Sequence, residues 1–414
     1  MRIAFSPPDI TEEEIEEVSQ ALRSGWITTG PRTKAFEQAL AQAVGTAKVA
    51  CLFSATAALE CALRALDIGP GDEVITSPYT YSASASVIYH VGAQPVMVDT
   101  APDSYEMDYS QLSQAITPRT KAIIPIDIAG KMCDYQRLFA AIDAAVPCYS
   151  PKVGSLQECF DRPIVLSDAA HSFGAAYQGQ PSGLVADLTA FSFHAVKNLT
   201  TAEGGALTWR SRDGLNDEAL YERIMLLSLH GQTKDALAKL IPGSWEYDIV
   251  EPAWKCNMTD LTAALGLVQL KRYPELLERR RQLVRCYMEN LAAVGMLGEG
   301  SEGKLDLLEH LDPSKTSSCH LLLTRLIGKD QGFRNALIRA MAERGIACNV
   351  HYKPLPLLTA YRERGFDISD YPNAFAQFAN ELTLPLHTLL SDDDVRFIAE
   401  SMADAYSECE DAGA

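Results

Sequence analysis

With 414 residues the chain is too long for one average domain and suits a large α/β domain with a smaller companion. Hydrophobic residues make up 47% and charged residues 22%, as in ordinary globular proteins, and no run approaches the roughly 20 apolar residues of a membrane helix. The formal charge of −18 repels nucleic acid and anionic membranes, so an anionic ligand must be held by a local site. The start, Met1 to Pro8, lacks the apolar core of a secretory signal, which points to the cytoplasm. Ten cysteines are scattered with no CxxC pair, which favours reduced thiols over a disulfide framework.

In chain order, Thr11 and Glu14 form a capping-box pattern that opens a first helix, with Ile15, Val18 and Leu22 on one face and Gly25 as its stop. Phe36, Leu40 and Val44 mark a second amphipathic segment, and Leu59, Leu63 and Leu66 a third over Ala57 to Leu66. After Gly69-Pro70-Gly71-Asp72 short apolar runs alternate with helical stretches: Glu73 to Thr76, Pro95 to Val98, Ala122 to Ile126, Ile164 to Ser167 and Thr189 to Phe193. This alternation predicts a mostly parallel sheet flanked by helices, with ligands at the carboxyl ends of its strands. Beyond Asn257 the pattern is mainly helical: Leu261 to Leu270, Glu278 to Leu291, Phe333 to Arg344 and Asp392 to Tyr406, with apolar runs near Leu321 to Leu326 and Ile346 to Val350. The expected division is 1–255 for the large domain and 256–414 for a smaller α+β domain.

Four segments at strand ends carry candidate chemistry. Ser54-Ala55-Thr56-Ala57 follows the apolar stretch Val49 to Phe53 and opens a helix, where free amides and the helix dipole favour an anion; the plain alternative is a Ser/Thr N-cap. Asp168, after Ile164 to Leu166, places a carboxylate where a buried strand ends, or caps the next turn. Lys197 follows the aromatic-rich run Phe191-Ser192-Phe193-His194 and precedes the Gly204-Gly205 pair. Tyr79 and Tyr81 follow the strand at Thr76 and are either core or a flat face for a planar ring. Together these supply an amine, a carboxylate, an anion cradle and an aromatic face, the parts needed to hold pyridoxal 5′-phosphate.

The runs Gly25 to Pro31, Ser54-Ala55-Thr56, Ile68 to Ile75, Asp168 to His171 and Phe191 to Asn198 resemble the DegT-type sugar-nucleotide aminotransferases over nearly the whole chain. Within that family the likeness leans to members that aminate UDP-4-keto-arabinose; the loops differ, and that substrate is not carried over. The resemblance implies pyridoxal-phosphate-dependent fold type I and the following roles. Lys197 matches the Schiff-base lysine, Asp168 the partner of the pyridine nitrogen, and His171 the residue near the ring hydroxyl. Ser192 and the Ala55 and Thr56 amides match phosphate ligands, and Tyr81 the stacking aromatic. Asn257 matches an asparagine that reaches the neighbouring subunit's cofactor, which implies a homodimer with composite sites.

Ala55 and Ser167 depart from the family's usual Gly and Glu. Members that dehydrate deoxysugars carry His where this chain has Lys197, so transamination is favoured.

The expected reaction moves an amino group from glutamate to a keto-sugar on a nucleotide diphosphate, with C4 of a UDP-sugar favoured by His171. It would serve cell-surface polysaccharide, lipopolysaccharide or related amino-sugar biosynthesis. The alternatives are C3 of a dTDP-keto-hexose and a non-catalytic cofactor-binding regulator. Trp26, Thr29, His351 and Lys353 are candidate substrate residues, with Arg32, Lys34 and Lys255 as further cations. Asn198-Leu199-Thr200 and Asn257-Met258-Thr259 match the glycosylation sequon by chance, and His310 and His320 lack ligand partners at metal spacing, so no metal is expected.

Overall fold

The computed structural model describes residues 2–145, 148–234, 245–298 and 303–413. Its main sheet has seven strands: β1 (Val49–Leu52), β2 (Glu73–Thr76), β3 (Gln94–Met97), β4 (Thr120–Ile124), β5 (Ile164–Asp168), β6 (Leu188–Ser192) and β7 (Gly205–Trp209). They lie in the order β1-β7-β6-β5-β4-β2-β3. The five strands from β6 to β3 run parallel, and β7 runs antiparallel between β6 and β1. The carboxyl ends of β1, β2, β4, β5 and β6 therefore share one edge.

Strands β1, β2, β4 and β7 are buried at every position, as expected of a sheet covered on both faces. One covering layer includes α3 (Ala55–Ala65), whose Leu59 and Leu63 pack with Leu52, Leu166 and Leu207. The expected strand that the chain lacks is Ile346 to Val350. There the backbone makes single bridges, Ile346 with Ile3 and Asn349 with Thr383, and does not join a ladder. Strand β7 was not anticipated, because its Gly204-Gly205 start reads as a turn.

Two helical expectations are corrected. The predicted helices Leu261 to Leu270 and Glu278 to Leu291 are one helix, α5 (Asp260–Ala293), which runs through Pro274. Proline removes one backbone hydrogen bond there, and the buried Tyr273, Leu276 and Leu277 on either side hold the helix continuous. Helix α5 contributes Tyr273 and Leu277 to a cluster under the main sheet, and Leu283, Val284, Tyr287 and Leu291 to a second core. That second core contains α6 (Gln331–Glu343), α7 (Asp392–Asp411) and the antiparallel sheet of β8 (Leu305–Leu307), β9 (Leu322–Leu326) and β10 (Glu381–Leu384). It also takes in Ile3 from the other end of the chain.

The second correction concerns α1 (Glu12–Arg23). Its capping box forms, with the Thr11 hydroxyl and the Glu14 carboxylate closing it reciprocally. The apolar stripe does not face the core: Ile15 is 50% and Leu22 55% exposed, while Glu14 and Ala21 are buried. Glu14 accepts from Arg272 (2.6 Å) and Gln269 (2.9 Å) on α5, so this helix docks through a charged contact. Burial pushes the Glu14 carboxyl up, and the hydrogen bonds from Thr11, Arg272 and Gln269 outweigh it and hold it below its usual range.

Glu14→Ala removes the bonds from Arg272 and Gln269 together with the capping-box carboxylate, while Arg272 keeps Asp9 at 2.9 Å, so stability should fall by about 2 kcal/mol, read as a shift of the urea unfolding midpoint. An unchanged midpoint would show that the contact is energetically neutral.

Candidate active site

A cavity of about 480 Å³ opens at the carboxyl edge of the main sheet. It is lined by Ala55, Thr56, Tyr81, Asp168, His171, Ser192, Lys197 and His351, which gathers eight of the sequence candidates from 297 residues of chain (351 − 55 + 1). They arrive from five segments, at strand ends or in loops. Asp168 is the last residue of β5, Ser192 the last of the adjacent β6, and Lys197 lies in the turn that follows.

Asp168 is held by Ser84, whose hydroxyl donates to Oδ2 at 2.6 Å, and by the Ala170 amide, which donates to Oδ1 at 3.2 Å. Burial raises its pKa, with the Ser84 and Ala170 hydrogen bonds and the nearby Lys197 charge opposing. Burial pushes Lys197 down to about 8, against the pull of Asp168. Ser84 comes from α4 (Ala83–His90), and nothing in its local sequence distinguishes it from a helix-start serine.

The anion cradle is the start of α3. Ser54 caps it by accepting from the Ala57 amide at 3.1 Å, and the Ala58 amide bonds to the Ser54 carbonyl. The Ala55 and Thr56 amides, as the first two of the helix, are left without an intrahelical acceptor beside the cavity. The turn is thus an N-cap that also leaves two amides without an intrahelical acceptor. Gly205 backs the turn so closely that an added Cβ would lie 2.3 Å from Ser54 C and 2.4 Å from Ala55 N. Ala55 keeps an ordinary negative φ, because it lies inside the helix and is absent from the positive-φ positions.

On the opposite wall the Ala129 amide donates to His171 Nδ1 at 3.1 Å, which puts the neutral ring's proton on Nε2, 3.1 Å from the Tyr352 hydroxyl oxygen. Burial, Lys197 and His351 together keep the His171 pKa well below its usual value. His320, which the sequence marks only as lacking metal-ligand partners, lines the cavity with its ring 4.4 Å from that of His171. Asn198 Nδ2 donates to the Ser318 carbonyl, so its Oδ1 accepts from His320 Nδ1 at 2.9 Å. Burial, first, and then the surrounding cations hold His320 neutral as well. His351 faces Phe5 at 5.6 Å in a stacked pair, its Nδ1 is 2.9 Å from Thr383 Oγ1, and burial brings it down to about 3. Phe5 and Ser6 line the same cavity, and Ser6 Oγ donates to the Val196 carbonyl beside Lys197. Tyr81 is 65% exposed at the mouth, 6.1 Å from the Tyr352 ring.

The remaining candidates lie elsewhere. Asn257 donates to the Thr29 hydroxyl and accepts from Lys255, while Trp26 Nε1 donates to the Thr29 carbonyl at 3.1 Å. None of these four lines this chain's own cavity, nor does the exposed Lys353. Arg32 pairs with Glu17 at 2.8 Å and Lys34 with Glu37 at 3.3 Å. Ser167 lies beneath the site, where its hydroxyl meets Tyr135 and the buried Asp127, a carboxyl that burial brings up to about 6. His310 is bonded by Ser317 (2.8 Å) and the Leu321 carbonyl (2.9 Å) away from the cavity.

Pyridoxal phosphate meets what these residues offer: a lysine whose amine burial has made easier to deprotonate, a buried carboxylate held by two donors, and two free helix-start amides that a side chain at 205 would crowd. The protein is accordingly a pyridoxal-phosphate-dependent transaminase of fold type I. A model of the DegT/DnrJ/EryC1/StrS aminotransferase family matches residues 8–146 and 159–403, and the chain belongs to that family.

The spore coat polysaccharide biosynthesis protein SpsC of Bacillus subtilis is 38% identical over 406 residues, covering 97% of this chain and 96% of SpsC. The putative sugar aminotransferase Spr1654 from Streptococcus pneumoniae, solved in a PMP form, is 54% identical with a TM-score of 0.94 and covers 99% of this chain and 100% of its own. Helicobacter pylori PseC, an aminotransferase involved in the biosynthesis of pseudoaminic acid, is 27% identical with a TM-score of 0.84, covering 99% and 100% of the two chains.

Two outcomes test the site. In the cofactor-free enzyme the rate at which pyridoxal phosphate links to Lys197 should rise with pH through about 8 and level off above it, because only the unprotonated amine reacts. Asp168→Asn removes the charge that opposes the shift, so the midpoint should move lower still; an unmoved midpoint would separate the two groups. Gly205→Ala should weaken pyridoxal phosphate binding on the order of tenfold in a fluorescence titration while leaving far-ultraviolet circular dichroism intact.

Proposed function

We propose that this aminotransferase moves the amino group of glutamate to the C4 keto carbon of a sugar carried on UDP, in the cytoplasm, for a cell-surface polysaccharide or related amino-sugar. The observation that carries the reading is the meeting of Lys197 and Asp168 at adjacent strand ends in one cavity with the α3 cradle. The spore coat polysaccharide role of SpsC and the pseudoaminic acid role of PseC support the pathway class, and His171 supports C4 through its match to the family's C4 members. Among the described residues no helix is long and apolar enough to cross a membrane.

When bound, pyridoxal phosphate supplies an electron sink for the substrate carbon. Lys197 Nζ, near neutrality partly unprotonated, takes a proton from that carbon and can return it one position along. Asp168, fixed by Ser84 and Ala170, holds a proton at the ring nitrogen. The Ala55 and Thr56 amides and Ser192 hold the phosphate. His171 presents Nε2–H rather than a positive charge, and Tyr81 covers one face.

The proposal includes a homodimer with composite sites. Asn257, with Trp26, Thr29 and Lys255, lies outside its own cavity beside the exposed apolar Ile27, Phe53 and Trp254, an arrangement suited to reaching a second copy. Lys353, exposed and outside the cavity, together with Lys255, is assigned to the nucleotide diphosphate.

The substrate reading is tested by offering UDP-, dTDP- and GDP-keto-sugars with glutamate and locating the new amine by NMR. Amination at C4 of a UDP-sugar is expected; amination at C3 of a dTDP-sugar would replace the proposal. Composite sites are tested by mixing inactive Lys197→Ala and Asn257→Ala chains. Activity should reappear on mixing, since one hybrid site retains both residues; if both singles stay inactive together, the sites are not shared.

A further inference from the structure

Among the described residues, Cys61 and Cys256 are the cysteine pair whose sulfurs lie within hydrogen-bonding reach, at 4.0 Å. They are 195 residues apart and belong to the two segments that frame the phosphate cradle. Cys61 sits on α3, six residues after Ala55, and is 2% exposed. Cys256 is partly exposed and directly precedes Asn257.

The seam between the segments is closely held. Arg64 of α3 stacks its guanidinium on Trp254 at 3.6 Å, the Phe53 amide donates to the Cys256 carbonyl at 2.7 Å, and Leu52 bridges Asn257. The thiols are unequal. Either sulfur can be the donor of the hydrogen bond they share; that bond and the neighbouring Lys255 charge pull Cys256 below its usual range, against burial and Glu60. Cys61 is raised, by the same hydrogen bond and by burial. One sulfur is therefore the reachable nucleophile and the other a buried resolving thiol.

We infer that Cys61 and Cys256 form a redox-active dithiol that hydroperoxides convert to a disulfide, locking α3 to the Asn257 segment and slowing the transaminase. In the first step the Cys256 thiolate attacks the peroxide's outer oxygen. The O–O bond breaks, the alcohol or water leaves with a proton, and Cys256 becomes a sulfenic acid. In the second step the Cys61 sulfur attacks the Cys256 sulfur, the S–O bond breaks, and water leaves with the Cys61 proton. Two thiols are oxidised and one peroxide is reduced, and an external thiol reverses the change by exchange. Transient, redox-sensing disulfides are the kind that reducing compartments permit.

A disulfide bond is about 2.05 Å long, so the sulfurs must close by about 2 Å. Little slack exists at the cradle, because Gly205 already abuts the Ser54 and Ala55 backbone. The closure is therefore transmitted to the Ala55 and Thr56 amides or to Asn257. The effect on rate rests on the site assignment above; formation of the bond does not.

The full-length holoenzyme is treated with hydrogen peroxide, quenched with catalase and alkylated. It is then mapped by mass spectrometry without reductant, and the glutamate half-reaction is followed by the cofactor's absorbance. The expected result is a Cys61–Cys256 peptide, absent from Cys61→Ser and Cys256→Ser. The rate should fall by on the order of tenfold, be restored by dithiothreitol, and be unmoved by peroxide in Cys61→Ser. Overoxidised Cys256 without a crosslink, pairing with any other cysteine, or crosslinked enzyme reacting at the untreated rate would overturn the inference. Crosslinking in a chain that lacks the glutamate reaction altogether would instead count against the proposed activity and leave the dithiol standing.

Discussion

The constraint on which the site depends is the enclosure of an amine and a carboxylate in one poorly hydrated cavity. Burial disfavours charge on both, lowering the Lys197 pKa and raising that of Asp168, and each is a charge that opposes the other's shift. Neither could hold its state alone. Asp168 stays a useful carboxylate because Ser84 and the Ala170 amide hydrogen-bond to it, and Lys197 stays a useful base because few other charges are near enough to keep it protonated. His171, His320 and His351 follow the same rule: desolvation holds them neutral, so they offer directed donors and lone pairs and add no competing positive charge.

The sheet makes this enclosure possible. Parallel strands bring their carboxyl ends to one edge, and β7, antiparallel, starts at that edge between β1 and β6, with Gly205 opposite both Leu52 and Ser192. A residue without a side chain at that point lets the helix-start turn lie against the sheet and keeps its amides turned to the cavity. The far wall comes from the second core and from the first residues of the chain. His351 and Tyr352 follow Asn349, which bridges Thr383 of β10, His320 precedes β9, and Phe5 with Ser6 threads between His351 and the Lys197 turn. The site is thus closed by segments from both hydrophobic cores, and Ile3 anchors the amino-terminal segment to the second of them.

Much of this was legible in the sequence, for identifiable reasons. The β2 and β5 runs are short, apolar and bounded by turn residues, which is the local signature of a strand buried on both faces, and residues that follow them line the cavity. The capping box of α1 reads directly because both of its partners lie within four residues. The helix's docking face did not, since Glu14 becomes a core residue only through Arg272 and Gln269, more than 250 residues away. The two helices expected as separate, Leu261 to Leu270 and Glu278 to Leu291, are joined through Pro274 by packing on both sides of it.

The sequence by itself determined the strand-helix alternation and the residue types standing at strand ends, hence the amine, the carboxylate and the candidate cradle. Periodicity reports how a segment shares itself between core and solvent, and that information is local. Tertiary structure alone decided that Ser84 holds Asp168, that His320, Tyr352 and Phe5 line the cavity, that Asn257 and Trp26 do not line it within one chain, and that Cys61 meets Cys256. These are contacts between distant segments whose energies arise only once the chain has closed on itself, so no pattern of neighbouring residues carries them.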